Sequence, residues 1–178
     1  MAGTNARTAA SAITTNGFRR ALVGANPRRT LARAAALVVA AYVVFGYLLL
    51  PVRGQGLSMW PTLRDGQFVL VNRLAYLNGQ PRRGDVVALT LAGRRVVYIK
   101  RIVGMPGERV SITRGTVLVN GAALDEPYVR ERLPWQVEEV ALTASEYLVI
   151  GDNRGMSARN HDFGRAQRER VLGRVISW

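Results

Sequence analysis

The chain has 178 residues, of which 25 are basic and 12 acidic, and its formal net charge is +13. This length allows one modest domain with an appendage. The sequence has no cysteine and a single histidine, His161, which excludes disulfides, thiol catalysis and a zinc site built on several histidines, so no metal or cofactor is expected.

The positive charge is distributed in a way that favours a membrane over a nucleic acid. Six arginines precede Ala34, and the first acidic residue is Asp65. A basic segment before a long apolar run is typical of a membrane-anchored chain. No helix-turn-helix, zinc-finger or RNP pattern supports binding to nucleic acid. We therefore expect membrane lipid as a partner and no nucleic acid.

Residues 1–33 are rich in Ala, Thr, Asn and Arg and lack apolar periodicity. This composition predicts a mostly disordered cytoplasmic tail. An organelle transit peptide is an alternative with the same composition.

Residues 34–52 are predicted to form a transmembrane anchor helix. They are 19 uncharged residues, about 28 Å long as a helix, against a hydrocarbon core of about 30 Å. A cleaved signal peptide is the alternative, but its apolar core is about 7–15 residues and ends in a small-residue cleavage site, which is absent here. The arginines predict a single pass through the cell's inner (plasma) membrane, or less favourably an organelle membrane, with the N-terminus cytoplasmic and residues 53–178 outside.

Residues 53–178 are predicted to form an extracytoplasmic β domain. Short apolar runs bounded by Gly, Asp or Asn predict strands at residues 68–71, 86–89, 116–119 and 147–150. Asn120-Gly121 is a strong hairpin signal. No long amphipathic helix is indicated, so the predicted fold class is mainly β, with coiled antiparallel sheets or a small barrel.

Ser58 is a candidate nucleophile on a rigid turn. Pro61 fixes one backbone dihedral and biases Trp60 away from helix. Such a turn can hold a hydroxyl in one place, as a nucleophile requires. An ordinary surface turn is the alternative interpretation.

Lys100 is the only lysine in the chain. Residues 95–103 read as a strand, in which Tyr98, Lys100 and Ile102 share an apolar face. Burial would lower the pKa of the amine from ~10.4 by up to ~3–5 pH units, which would create a base near neutral pH. An edge strand whose lysine reaches water is the alternative.

A third stretch, Gly151 to Gly164, collects polar, turn-forming residues behind a strand. It is either a surface loop or a loop that supplies Ser157 to orient a neighbouring amine. Together the three stretches resemble the type I signal peptidases, which are membrane-bound serine proteases with a Ser/Lys dyad. The resemblance covers residues 34–178, and its motifs occur in the family's order at Ser58 to Leu63, Arg83 to Val87, Lys100 to Glu108, and Gly151 to Arg154 with Ser157.

The resemblance implies a role for each matching residue. Ser58 would be the nucleophile and would supply part of the oxyanion hole through its N–H, Lys100 would be the general base, and Ser157 would hydrogen-bond the Lys100 amine. Asp152 and Arg101 match a supporting ion pair. The positions near the small-residue substrate pockets are Met59, Leu63, Tyr98 and Ile99. The implied fold is one of coiled antiparallel β-sheets.

Two departures from the family pattern affect the site. Gly56 replaces a serine that helps to bind the oxyanion in many members, so the second donor is unassigned. Arg159-Asn160-His161 replaces the usual Asp-Ser-Arg, and the charge pair formed there must differ, unless Asp162 compensates.

The function expected from the resemblance is cleavage of signal peptides from exported proteins after small residues, by a monomer. The alternatives are a Ser/Lys peptidase dedicated to one substrate class, or a membrane-anchored β domain that binds a partner without catalysis. A Ser-His-Asp arrangement of Ser58, His161 and Asp152 or Asp162 is the alternative mechanism.

Overall fold

The computed structural model describes residues 26–90, 96–161 and 163–176. The chain divides into two compact units, Met1–Gly46 and Tyr47–Trp178. Most of the predicted tail, residues 1–25, and Asp162 lie outside the described residues. The break after Gly46 comes earlier than the predicted boundary after Val52.

Helix α1, Pro27–Val43, lies in the first unit. It continues as a π-helix, Val44–Leu48, whose last two residues belong to the second unit. Proline at the start of a helix costs nothing, because its missing N–H would be unpaired there in any case. The segment Pro27–Leu48 has 22 residues and is long and apolar enough to cross a membrane by length and composition. This segment therefore has the length and composition of a membrane anchor.

Both ends of the predicted anchor helix are wrong. The helix begins at Pro27, so residues 27–33 are helical and do not belong to a disordered tail. Residues 49–52, predicted as helix, lie in strand β1, Leu49–Arg53. Pro51 cannot donate a hydrogen bond within a helix, whereas β1 is the edge strand of a sheet, where a missing N–H is tolerated.

The second unit is built from antiparallel strands, which confirms the predicted mainly β class. A seven-stranded sheet has the order β1-β2-β11-β3-β4-β9-β10, and a four-stranded sheet has the order β7-β6-β5-β8. After β1 the strands are β2 (Phe68–Asn72), β3 (Val86–Thr90), β4 (Val97–Gly104), β5 (Arg109–Thr113), β6 (Thr116–Val119), β7 (Ala122–Ala123), β8 (Val137–Ala141), β9 (Glu146–Ile150), β10 (Gly164–Gln167) and β11 (Val171–Ile176). The four strands predicted from apolar runs are all present, and the strand predicted at residues 95–103 is β4.

The predicted hairpin at Asn120-Gly121 joins β6 to β7, and both turn residues have positive φ, 51° and 83°. Two positive φ angles are the signature of the two-residue type I′ turn. Arg114-Gly115 makes the same kind of turn between β5 and β6, with φ of 51° and 80°. Among the described residues after β1, the helices are two short 3₁₀ turns, Ala158–Asn160 and Arg168–Arg170.

The core consists of three apolar clusters. The cluster that matters most for the site packs the segment between β1 and β2 onto the larger sheet, and it contains Met59, Leu63, Val69, Val71, Ala88 and Val175. A second cluster joins the two sheets through residues that include Val103, Ile112, Trp135 and Ile150. The third lies within the larger sheet, around Val87, Ile102 and Tyr147.

Candidate active site

Ser58 lies half-buried in a tight turn in the segment between β1 and β2, as the sequence predicted. Trp60 N donates to Leu57 O at 3.0 Å, and Leu63 N donates to Met59 O at 2.9 Å. Met59 and Leu63 are only 5% and 4% exposed, so they anchor the turn in the core. In the described part of the chain, no group accepts a hydrogen bond from the Ser58 N–H.

Lys100 lies on β4, which is paired with β3 on one side and with β9 on the other. It is only 3% exposed, so the alternative of a lysine that reaches water is wrong. Its Nζ donates to Ser58 Oγ at 2.9 Å, across 42 residues of sequence. The side chains of Tyr98 and Ile102 pack in one cluster and those of Val97 and Ile99 in another, in agreement with the alternation predicted for this strand.

The loop Gly151 to Arg154 is fastened to the backbone of the Ser58 turn. Asn153 N donates to Ser58 O at 3.0 Å, and Asn153 Nδ2 donates to Leu57 O at 3.0 Å. A Cβ atom on Gly151 would collide with the Ser58 carbonyl oxygen and with the imidazole of His161. Glycine is therefore required at position 151 by the close approach of two backbone segments.

The ion pair expected between Arg101 and Asp152 is present. Arg101 Nε lies 2.8 Å from Asp152 Oδ1 and Nη2 lies 2.6 Å from Oδ2, a bidentate geometry. The Thr62 hydroxyl also donates to Oδ2, and Asp152 is 1% exposed. Burial acts to lower the pKa of Arg101, but the hydrogen bonds and charge of Asp152 outweigh it and the pKa is raised. The pair thus ties β4 to both the Ser58 turn and the Gly151 loop.

A cavity of about 510 Å³ opens at Ser58 and Lys100, a volume typical of ligand sites. All four residues expected near the substrate pockets line it, namely Met59, Leu63, Tyr98 and Ile99. Strand β4 pairs with β9 from Arg101 onward. The stretch Val97–Lys100 pairs with β3 and also lines the cavity, so a peptide bound there in extended form would lie along β4.

Ser157 lies on the loop between β9 and β10. It is exposed and precedes the 3₁₀ turn Ala158–Asn160, without a side-chain cap. The hydrogen bonds of the described residues include none between its hydroxyl and Lys100. The orienting role of Ser157 stays a prediction.

His161 is buried, at 5% exposure, in an aromatic environment. Its ring centroid lies 5.1 Å from that of Trp135 and 6.4 Å from that of Phe163. This packing, together with its position against Gly151, favours a structural role over that of a general base. Among the described residues no cluster of His, Cys, Asp and Glu suits a metal ion.

The sequence indicated no role for several polar residues near this site. Thr62 belongs to the motif around Ser58, and its contact with Asp152 depends on a segment 90 residues away. Tyr128 stacks on the Arg101 guanidinium, whose carbon lies 3.9 Å from the ring centroid. Glu126 pairs with the buried Arg154 at 2.5 Å. A Glu-Pro-Tyr sequence in a loop carries no local signal for such contacts.

Comparison with known proteins gives consistent matches. The family model described as signal peptidase, peptidase S26, matches residues 28–178. A probable signal peptidase I-2 of Synechocystis sp. is 37% identical over 125 residues, which are 67% of this chain and 57% of that protein. A signal peptidase I of Leptolyngbya laminosa is 35% identical over 127 residues, 67% of this chain and 63% of that protein. The chain thus spans about three fifths of the length of these two relatives.

Two further matches extend the comparison. A signal peptidase IB of Staphylococcus aureus is 32% identical over 152 residues, which are 75% of this chain and 79% of that protein. A crystal structure of a signal peptidase I from Enterococcus faecalis has 27% sequence identity and a TM-score of 0.45, and covers 55% of this chain and 97% of that one.

Proposed function

The chain belongs to the signal peptidase family, peptidase S26, and we propose that it is a membrane-anchored serine endopeptidase that cleaves signal peptides from exported proteins after small residues. Ser58 is the proposed nucleophile and Lys100 the proposed general base. The observation that carries this proposal is the distance of 2.9 Å between Lys100 Nζ and Ser58 Oγ, with Lys100 buried and both residues lining one cavity.

The proposed reaction begins with an uncharged Lys100, because burial disfavours an ammonium. Ser58 Oγ attacks the scissile carbonyl carbon while Lys100 Nζ takes its proton, and the same amine then protonates the leaving nitrogen. A water molecule activated by Lys100 hydrolyses the acyl-enzyme. The Ser58 N–H stabilises the oxyanion in this scheme. Ser157 orients the Lys100 amine in the substrate complex, where hydrogen bonds that are absent from the free enzyme can form.

The cavity supports a peptide substrate in extended form. In this proposal the residues that precede the scissile bond lie extended along β4 at Val97–Lys100, which lines the cavity. Met59, Leu63, Tyr98 and Ile99 then border the pockets for small side chains. The Arg101–Asp152 pair fixes the strand that carries Lys100 and does not itself contact substrate in this proposal.

We place the enzyme in the plasma membrane as a monomer with a cytoplasmic N-terminus. The arginines that precede the apolar segment support this orientation. Helix α1 and the π-helix together provide a span of 22 residues. A membrane anchor on the enzyme raises the effective concentration of a substrate that is held in the same membrane.

The test is cleavage of a presecretory protein by the purified full-length chain in detergent, with the product's new N-terminus sequenced. Ser58→Ala should abolish cleavage, whereas the matched control Ser145→Ala, which alters an exposed serine bonded to Gln167, should not. Absence of cleavage by the wild type would leave a non-catalytic binding domain as the better explanation. Cleavage of only one class in a panel of substrates would indicate a dedicated peptidase.

A further inference from the structure

Glu126 is a buried carboxylate that the proposed reaction does not use. It is 3% exposed and lies between β7 and β8. Its Oε1 accepts hydrogen bonds from Arg154 Nη2 at 2.5 Å and from the Tyr128 hydroxyl at 2.9 Å, and its Oε2 accepts one from Arg132 Nη1 at 2.9 Å. A buried charge is tolerated only when it is paired and hydrogen-bonded, and here both oxygens are used. We call Glu126, Tyr128, Arg132 and Arg154 the Glu126 network.

One branch of the Glu126 network leads to the nucleophile. The Arg154 side chain is 1% exposed, and its Nε donates to Gly151 O at 2.9 Å. Arg154 therefore fixes the loop from within while Glu126 fixes Arg154. The same loop binds the Ser58 carbonyl through Asn153 N at 3.0 Å. A displacement of Glu126 would thus reach the backbone of Ser58 through Arg154 and the loop.

A second branch leads to the strand of the proposed base. The Tyr128 ring lies 3.9 Å from the guanidinium carbon of Arg101, next to Lys100 in β4. Burial, and then the charge and hydrogen bond of Glu126, raise the pKa of the Tyr128 phenol above its ordinary value, so Tyr128 remains a donor to Glu126. Glu126 therefore supports the Arg101 guanidinium through the Tyr128 ring, and Asp152 binds the same guanidinium at 2.6 Å.

We infer that Glu126 is a positioning residue for the proposed Ser/Lys reaction. Through Arg154 and Tyr128 it holds the Ser58 turn and the Lys100 strand in the relative position that the reaction requires. The inference rests on the proposed function. The inference also gives the four-stranded sheet a role in the site, because the segment between its strands β7 and β8 carries Glu126 to the loop Gly151 to Arg154. Misplacement of reacting groups by about 1 Å can slow an enzyme about 100-fold even when the substituted residue is remote.

The test compares Glu126→Gln, which keeps the shape and removes the charge, with Glu139→Gln. Glu139 is a matched control because it lies on β8 in an exposed ion pair with Arg109 at 3.2 Å. The full-length proteins in detergent are assayed on one presecretory substrate, at a temperature where circular dichroism shows them folded. We expect kcat of Glu126→Gln to fall about 10- to 100-fold with KM changed less than about 3-fold, and Glu139→Gln to match the wild type.

Two more variants separate positioning from mere stability. Glu126→Asp keeps the charge and should restore at least part of the lost kcat, although its melting temperature also falls. Tyr128→Phe keeps the ring on Arg101 and removes only the hydroxyl, so it should lower kcat by about 3- to 10-fold without a change in KM. If Glu126→Gln fails to fold, Tyr128→Phe decides the question.

The inference is overturned if folded Glu126→Gln retains kcat within about twofold of the wild type, or if its loss is confined to KM. It is also overturned if Glu126→Asp loses as much kcat as Glu126→Gln, or if Tyr128→Phe is as active as the wild type. These results differ from a failure of the proposed function. In that case the wild type and Ser58→Ala would both leave the substrate uncleaved.

Discussion

Replacement of Lys100 by arginine is the sharpest test of the proposed chemistry. Arginine keeps a long cationic side chain but cannot deprotonate in a protein, so it cannot take the Ser58 proton. The structure leaves little room for a substitute base, because Lys100 is 3% exposed and its Nζ lies 2.9 Å from Ser58 Oγ. A water molecule could accept the Ser58 proton only if it entered the buried contact between residue 100 and Ser58.

The expected loss follows from that geometry. A positioned general base accelerates a reaction by about 10²- to 10⁴-fold. Because the nucleophile here depends on that base, kcat should fall at least ~10³-fold in the variant. At 1.36 kcal/mol per decade, this is about 4 kcal/mol of transition-state stabilisation. The larger guanidinium would also overpack the site and lower the unfolding free energy by about 1–3 kcal/mol. Lys100→Met, which has a similar length and no charge, is therefore the companion variant.

The assay is single-turnover cleavage of a presecretory substrate that carries an Ala-X-Ala site, by the full-length chain in detergent. Ser58→Ala sets the background, and circular dichroism establishes that each variant is folded. Both Lys100 variants should lie at or near the Ser58→Ala background. If folded Lys100→Arg or Lys100→Met kept more than a few per cent of the wild-type rate, the assignment of Lys100 as general base would be refuted.

The other predictions use the same assay except where stated. Ser157→Ala should slow the reaction by one to two decades, the value of an orienting hydrogen bond of about 1.5–3 kcal/mol, and an unchanged rate would show that Ser157 does not contact Lys100 in the complex. His161→Gln should lose at most about one decade in kcat/KM, because the ring is packed against Trp135, and a loss of three decades in a folded variant would favour a Ser-His-Asp mechanism. Asp152→Asn leaves Arg101 buried beside a neutral partner, so the unfolding free energy should fall by about 3–5 kcal/mol, measured by urea denaturation, and an unchanged midpoint would contradict this. Protease added to spheroplasts should digest the domain that follows the helix, and protection of that domain would reverse the proposed orientation.

The sequence predicted the parts of the structure that local chemistry controls. Val, Ile and Leu runs gave the strands, and Asn120-Gly121 gave a turn that requires two positive φ angles. Pro61 predicted the non-helical turn at Ser58. Lys100, as the only lysine in an apolar strand, was expected to be buried, and it is 3% exposed.

The parts that the sequence missed depend on contacts between distant segments. Leu49–Arg53 is apolar enough to continue the helix, and only its pairing with Phe68–Asn72 makes it a strand. Glu126 reaches Arg154 across 28 residues. No periodicity or propensity marks such a residue, because its partners become neighbours only after the two sheets pack against each other.

The route by which Ser58 reaches Lys100 shows what the larger sheet contributes to the site. Strands β2 and β4 are separated by β11 and β3. Neighbouring strands are about 4.8 Å apart, so the three spacings place β2 and β4 about 14 Å apart. The turn that follows β1 must therefore cross the face of the sheet to bring Ser58 Oγ within 2.9 Å of Lys100 Nζ. Met59 and Leu63 make this crossing possible, because they pack on that face against Val71, Ala88 and Val175. Residues that border the proposed substrate pockets thus also hold the nucleophile in place, so truncating either of them should impair both substrate binding and the chemical step.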